Sequence, residues 1–331
     1  EMLPSSLLLE QANLLRQLGY HYQYTGEYRA FQQCSERALL LHENHYGQDH
    51  REVAITLYSL SNAYEALGNI EGNQQRLERA LMINERHYGK DHITAASIIG
   101  SLGNVYGALG DNVKKKVLLE RALLILEHQY SNEPEQVSTI LTNLGTACDA
   151  LGNALEAKRY LERALAMQVN VYDKNDPRIA ATLSNLAAAY GNLGDVLKQK
   201  TLLEKALFIK EHHYGKEHPA LVAALDGLGS VYIRLGDHKQ SKILLERALL
   251  IKEKAYGKND PMVAHTLNLL GIADYNSGEI MSSKELLERA LFIQEAHYGK
   301  NHLEVAAVLL NLGNTYGALN NPAMEKDVLE R

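Results

Sequence analysis

Residues 214–261 read YGKEHPALVAALDGLGSVYIRLGDHKQSKILLERALLIKEKAYGKNDP. The stretch closes on the phrase that opened it: Tyr214-Gly-Lys-Glu-His-Pro219 returns as Tyr256-Gly-Lys-Asn-Asp-Pro261. Between the two phrases lie two segments of helical rhythm. In the first, Leu225, Leu228, Gly229 and Tyr232 stand at i, i+3, i+4 and i+7, one stripe of an α-helix. The second carries Leu245, Ala248 and Leu249 on a similar stripe. Gly236 separates them and supplies the left-handed conformation that ends a helix. After Tyr256-Gly257, Asp260 offers an N-cap side chain and Pro261 the favoured first helical residue. The unit is therefore helix, tight turn, helix, short link, and a β-strand has no room in it.

Outward from this stretch the pattern repeats without a break. Tyr46, Tyr88, Tyr130, Tyr172, Tyr214, Tyr256 and Tyr298 are each 42 residues apart, and Ala38, Ala80, Ala122, Ala164, Ala206, Ala248 and Ala290 keep the same step. The core stripe recurs as Leu57, Leu60, Ser61, Tyr64 and as Leu183, Leu186, Ala187, Tyr190. The turn glycine recurs at Gly68, Gly110, Gly152, Gly194 and Gly278, and Asn320 replaces it in the last unit. A small residue sits inside every first helix (Ser61, Gly103, Gly145, Ala187, Gly229, Gly271, Gly313), where glycine costs about 1 kcal/mol relative to alanine, so close approach of the partner helix is expected there. Such self-similarity predicts an all-α, right-handed α-solenoid of tandem antiparallel helix pairs. It holds seven full 42-residue repeats, starting near Leu8, Arg51 and Thr94, and a partial eighth ending at Arg331. The expected organisation is one array over residues 1–331, cut from a longer protein.

The stripe Leu-x-x-Leu-Gly-x-x-Tyr, the glycine after it and the later Leu-x-x-Ala resemble the tetratricopeptide signature. That unit usually has about 34 residues. The 42-residue period and the Tyr-Gly-Lys-x-His/Asp-Pro link look like the kinesin light chain type of repeat. The resemblance covers nearly the whole chain. It is specific for fold and says little of function. There are local departures: Cys148 takes the tyrosine position in one unit, and Asp274, Tyr275 and Ser277 alter another. The heptad segment that joins a kinesin light chain to its heavy chain is missing.

Helical periodicity also predicts a binding face. Opposite the stripe 57, 60, 61, 64 lie positions 58, 59, 62, 65 and 66, which should line the concave side of a stacked array, as the resemblance also implies. Asn62, Asn104 and Asn314 share one of these positions, with Thr146 and Ser230 as its other occupants. Asn143, Asn185 and Asn311 share another, with Ser59 and Ser101 in earlier units, and Gly107, Gly191 and Gly317 keep a neighbouring position small. Asparagine offers both a donor and an acceptor, which suits the backbone of an extended peptide. Tetratricopeptide domains of the chaperone type grip a C-terminal carboxylate with cations from this face. Here Tyr58, Gly100, Thr142, Ser184, Asp226 and Asn268 stand at those places, with Arg16 and Arg234 as isolated exceptions, so an acidic-tail receptor is not expected. The expected site is Asn62, Asn104, Asn143, Thr146, Asn185, Asp226, Ser230, Asn268, Asn311 and Asn314.

Composition narrows the remaining classes. The net charge is -6, and the one dense basic run, Lys114-Lys115-Lys116, reads as a solvated helix start, so nucleic acid is not an expected partner. No apolar run approaches a membrane span. Two cysteines 114 residues apart form no disulfide framework, which suits the cytoplasm. Most of the 14 histidines fall beside helix ends and links, in no metal-ligand spacing, and the Glu-Arg pairs recur in nearly every unit where an active site would be single. There is no phosphate loop and no nucleophile motif. No cofactor, metal or catalytic residue is expected. The sequence reads as a protein-interaction scaffold. The alternatives are the sensor or regulatory arm of a larger multidomain NTPase, protease or bacterial effector, and end-to-end self-association through an apolar end at Val328 and Leu329.

Overall fold

The computed structural model describes residues 5–129 and 134–331. Tyr130 of the tyrosine series lies outside them. The described residues form sixteen α-helices in eight antiparallel pairs. They are α1 (Ser5–Thr25) with α2 (Tyr28–Tyr46), α3 (Arg51–Ala66) with α4 (Ile70–Tyr88), α5 (Ile93–Ala108) with α6 (Asn112–Gln129), and α7 (Pro134–Ala150) with α8 (Ala154–Val171). Then follow α9 (Pro177–Asn192) with α10 (Val196–Tyr214), α11 (Val222–Arg234) with α12 (His238–Tyr256), α13 (Pro261–Asn276) with α14 (Ile280–Tyr298), and α15 (Leu303–Ala318) with α16 (Pro322–Glu330). A single 3₁₀ turn, Pro219–Leu221, leads into α11. Contacts divide the chain into two compact units, Glu1–Val171 and Tyr172–Arg331.

Local chemistry sets most of the helix ends. The turn glycines have positive φ, for example 71° at Gly68, and Asn320, with φ 54°, takes the same conformation in the last pair. In several pairs the next residue then caps the second helix: Asn69 Oδ1 accepts from Gly72 N at 2.8 Å and Asp195 Oδ1 from Lys198 N at 2.9 Å, whereas Glu27 and Glu279 make no side-chain cap. At the links the cap is aspartate or histidine. Asp260 Oδ1 accepts from Met262 N at 2.8 Å, while His218 Nδ1 accepts from Ala220 N at 3.1 Å and His302 Nδ1 from Glu304 N at 3.2 Å. The tyrosine four residues earlier stacks on that histidine, with ring centroids 4.2 Å apart for Tyr46 and His50 and 4.5 Å for Tyr298 and His302. The periodic link tyrosine and histidine are therefore one device, a stacked ring holding a capping ring.

Packing follows the stripes. Val53, Leu57, Leu77, Ala80, Ile83, Ile98 and Leu102 form one buried cluster, and Val263, Leu267, Leu287, Ala290, Val305 and Leu309 form its counterpart in the second unit. The small position admits the partner helix closely: a Cβ on Gly271 would lie 2.6 Å from Leu287 Cγ. Val328 belongs to the second cluster and is buried rather than forming an open apolar end, while Leu329 is half-exposed.

The Glu-Arg pairs stitch neighbouring helix pairs together. Arginine reaches the glutamate 36 residues back, at 2.6 Å for Arg79–Glu43, 2.7 Å for Arg121–Glu85 and 2.6 Å for Arg289–Glu253. The glutamate beside each arginine accepts from a signature tyrosine 28 residues ahead: Tyr64 Oη donates to Glu36 at 2.9 Å, Tyr106 to Glu78 at 2.8 Å and Tyr316 to Glu288 at 2.6 Å. Where tyrosine is replaced, a lysine takes over. Lys242 pairs with Asp274 at 3.0 Å, and Lys116 with Glu156, beside Cys148, at 2.6 Å. Within each unit first helices also touch one another (α1 on α3 and α5 on α7; α11 on α13 and α13 on α15), which makes their side the inner one.

Candidate functional site

The inner side of the first helices carries the residues expected to bind. In the first unit Asn62, Asn143 and Thr146 are half-buried and Asn104 is exposed. Asn104 borders a cavity of about 160 Å³ with Glu65 and Asn73. Thr146 Oγ1 donates to the Asn143 carbonyl at 2.8 Å and accepts from Lys115 Nζ at 3.0 Å. A second cavity, of about 240 Å³, opens between α3 and α5 at Tyr58, Asn84 and Thr94. Tyr58 Oη and Ser101 Oγ, 3.4 Å apart, join those helices.

The second unit holds a larger cleft, of about 700 Å³, between α11 and α13. Ala223, Gly227 and Ser230 form one wall, and Met262, His265 and Leu269 the other. Its floor is a closed polar network. Lys252 Nζ donates to Asp226 Oδ2 at 2.8 Å, to Thr266 Oγ1 at 2.8 Å and to the Met262 carbonyl at 2.6 Å, while Thr266 Oγ1 donates to Asp226 Oδ1 at 2.9 Å. Asp226 is thus buried with both oxygens engaged, whereas Ser230 opens on the cleft. Asn311 Nδ2 donates to Asn268 Oδ1 at 2.9 Å, bridging α13 and α15. Asn185 is half-buried on α9 and Asn314 exposed on α15, away from that cleft. The face is a ladder in which some amides hold each other and others stand open.

Reading only the first helices missed two contributors from second helices. Lys115 and Gln199 reach the inner face over a glycine: a Cβ on Gly107 would lie 2.7 Å from Lys115 Cδ, and one on Gly191 2.6 Å from Gln199 Nε2. Gln199 Oε1 accepts from Arg234 Nη1 at 3.0 Å and lines the 700 Å³ cleft. The sequence carries a signal for this. A long polar residue follows eight positions after each glycine of this register, as in Gly107/Lys115, Gly191/Gln199 and Gly317/Glu325. A small or short one follows where the glycine is absent, as in Glu65/Asn73, Asp149/Ala157, Ile233/Ser241 and Tyr275/Ser283. The lysine run is likewise not a uniformly solvated helix start. Lys114 covers the Tyr106 ring at 3.9 Å, Lys116 pairs with Glu156, and Lys115 turns inward. Arg16, one of the two isolated arginines, pairs with Glu52 at 3.0 Å.

Burial, reinforced by Glu156, pushes the Cys148 thiol up to about 12, which removes the thiolate a nucleophile needs. Among the described residues no three His, Cys, Asp or Glu side chains converge on a metal-sized site, and no helix is long and apolar enough to cross a membrane.

Comparison with known proteins follows the same lines. Family models described as Tetratricopeptide repeat match residues 53–94, 136–211, 178–254 and 221–291, together more than half of the chain. No curated protein matches. Among solved structures, a Podosopora anserina kinesin light chain with nearly identical TPR-like repeats is 26% identical, with a TM-score of 0.54 over 62% of this chain and 98% of that one. The Pyrococcus horikoshii signal transduction ATPase with a tetratricopeptide repeat sensor gives a TM-score of 0.68 at 13% identity, covering 96% of this chain and 46% of that one. A Rap protein complexed with Competence and Sporulation Factor gives 0.62 at 14% identity, covering 99% and 97%. At 13% and 14% identity those two likenesses are of fold alone. With repeats matched over residues 53–94 and 136–291 and helix pairs before, between and after them, the chain belongs to the tetratricopeptide repeat family.

Proposed function

We propose that this chain is a protein-interaction scaffold that takes an extended peptide or protein segment along the inner face of its first helices, at Asn62, Asn104, Asn143, Thr146, Asn185, Ser230, Asn268, Asn311 and Asn314. Asp226 belongs to the site as the buried partner that holds Lys252 at the cleft floor. The observation that carries the reading is the alternation of open amides and hydroxyls with a cleft of about 700 Å³ walled by small residues on one side and by Met262, His265 and Leu269 on the other. Amides that offer donor and acceptor together suit peptide backbone, and the apolar wall gives one side chain a seat. The Rap structure, whose fold this chain shares, holds a Competence and Sporulation Factor, which supports the same use of the fold. The reading assigns the chain no catalysis, cofactor, nucleic acid or membrane, and a cytoplasmic setting.

The test is capture from a lysate by the parent chain and by an Asn104→Ala, Asn143→Ala, Asn185→Ala variant, read by mass spectrometry. A protein held by the parent and lost by an equally helical variant supports the groove; identical captures refute it. A second reading, the sensor arm of a larger multidomain enzyme, draws on the ATPase whose tetratricopeptide sensor matches this fold. It predicts that the bound segment lies in the same polypeptide. Self-association is separated from both by molecular mass measured across a hundredfold range of concentration.

A further inference from the structure

Gly107 opens a passage that carries one cation onto the inner face. Lys115 starts on α6, a second helix, where its side chain would ordinarily stay on the far side of α5. With no Cβ at Gly107 the chain lies across that helix, and its ammonium lies 3.3 Å from where such a Cβ would be. It ends 3.0 Å from the Thr146 hydroxyl on α7. That hydroxyl is neutral, and no carboxylate among the described residues lies within ion-pairing distance of Lys115, although its neighbours Lys114 and Lys116 both have partners. Burial lowers the Lys115 pKa, and no acidic group offsets it. A half-buried ammonium with one neutral acceptor has two donors left for a ligand. Asn143 stands on the same helix as Thr146, one turn away, and Asn104 on α5.

We propose that Lys115, set through the Gly107 opening beside Thr146, is the specificity-determining residue of the groove and receives an aspartate or glutamate side chain of the bound peptide, with Asn104 and Asn143 holding the backbone on either side. This deepens the groove reading and rests on it. It also reverses the expectation drawn from the first helices alone, which put no cation at this part of the face. The charge comes from the other helix of the pair. A carboxylate is the fitting group because it accepts from the ammonium without competing for the Thr146 hydroxyl, and such charge-assisted bonds are short and directional.

The experiment selects a displayed random dodecapeptide library on the full chain, on Lys115→Met and on Gly107→Ala. In Gly107→Ala the new Cβ would meet Lys115 Cδ at 2.7 Å and turns the flexible side chain aside with the charge intact. Parent selections should carry Asp or Glu at one fixed register, and both variants should lose that preference while still selecting peptides. For a synthetic parent-selected peptide, Glu→Gln at that register should weaken binding about tenfold to the parent and leave binding to Lys115→Met unchanged. An acidic preference retained by Lys115→Met, or no acidic preference in the parent, overturns the assignment of Lys115 alone. Failure of all three chains to select any peptide overturns the groove reading and this inference with it. Circular dichroism and unfolding midpoints of the variants, expected to match the parent, separate either result from a failure to fold.

Discussion

Lys252 and Asp226 give the sharpest stability test, because removing one partner should cost far more than removing both. Both residues are nearly out of water, at 2% and 7% exposure, and every ammonium proton of Lys252 has an acceptor. Lys252→Met leaves Asp226 with Thr266 as its remaining partner. The carboxylate is then buried without its cation. An uncompensated buried charge of this kind should lower stability by about 4 kcal/mol, within the 3–5 kcal/mol typical, on the order of magnitude, of breaking a buried pair. The double variant Lys252→Met, Asp226→Leu has no orphaned charge and should recover to within about 1 kcal/mol of the parent. Urea unfolding followed by far-ultraviolet circular dichroism reads the midpoints. Repeat arrays open locally, so hydrogen exchange over residues 219–276 shows whether the loss is confined to α11–α13. A single variant within about 1 kcal/mol of the parent, or a double variant no better than the single, would each refute the argument.

Three further outcomes follow from the packing. Gly271→Ala puts a Cβ 2.6 Å from the buried Leu287, so an overpacking cost of about 1–3 kcal/mol should outweigh the propensity gain of about 1 kcal/mol and lower the midpoint. A raised midpoint would show that the helices can part without cost. Tyr106→Phe removes the hydroxyl that donates to Glu78 at 2.8 Å and should cost about 1 kcal/mol, with faster exchange of the α4–α5 amides as its local mark. His42 is buried with Nδ1 2.8 Å from Thr56 Oγ1, and burial first, then Arg16, lowers its pKa below the ordinary 6.5. The unfolded chain therefore takes up the proton first on acidification. His42 contributes stability above pH 6.5 that is lost as the pH falls from there toward its folded pKa. His42→Asn, the residue type at the equivalent Asn84, should flatten the dependence of the midpoint between pH 7.5 and 5.5, and equal slopes in parent and variant would count against it.

How much of this was legible before folding depends on how far apart the interacting groups lie in the chain. Helices, turns and links depend on contacts within about four residues, so Gly68, Asn320 and Asp260 announced their conformations in the sequence and adopt them in the structure. The 42-residue period likewise told which residues share a position, and periodicity alone put Leu57, Leu60 and Tyr64 in the core. The histidine caps at His218 and His302 were half-legible: their place at the links was plain, but the acceptor role of Nδ1 was not. What occupies each place on the inner face was decided only by tertiary structure. Asp226 meets Lys252 across 26 residues, Lys115 meets Thr146 across 31, and Asn268 meets Asn311 across 43. The physical reason is that a helical wheel describes one helix in isolation, whereas a long side chain on the neighbouring helix can cross it wherever a glycine leaves room. Period and fold class were thus properties of the sequence by itself, while the place of Lys115 beside Thr146 came from packing one helix across another.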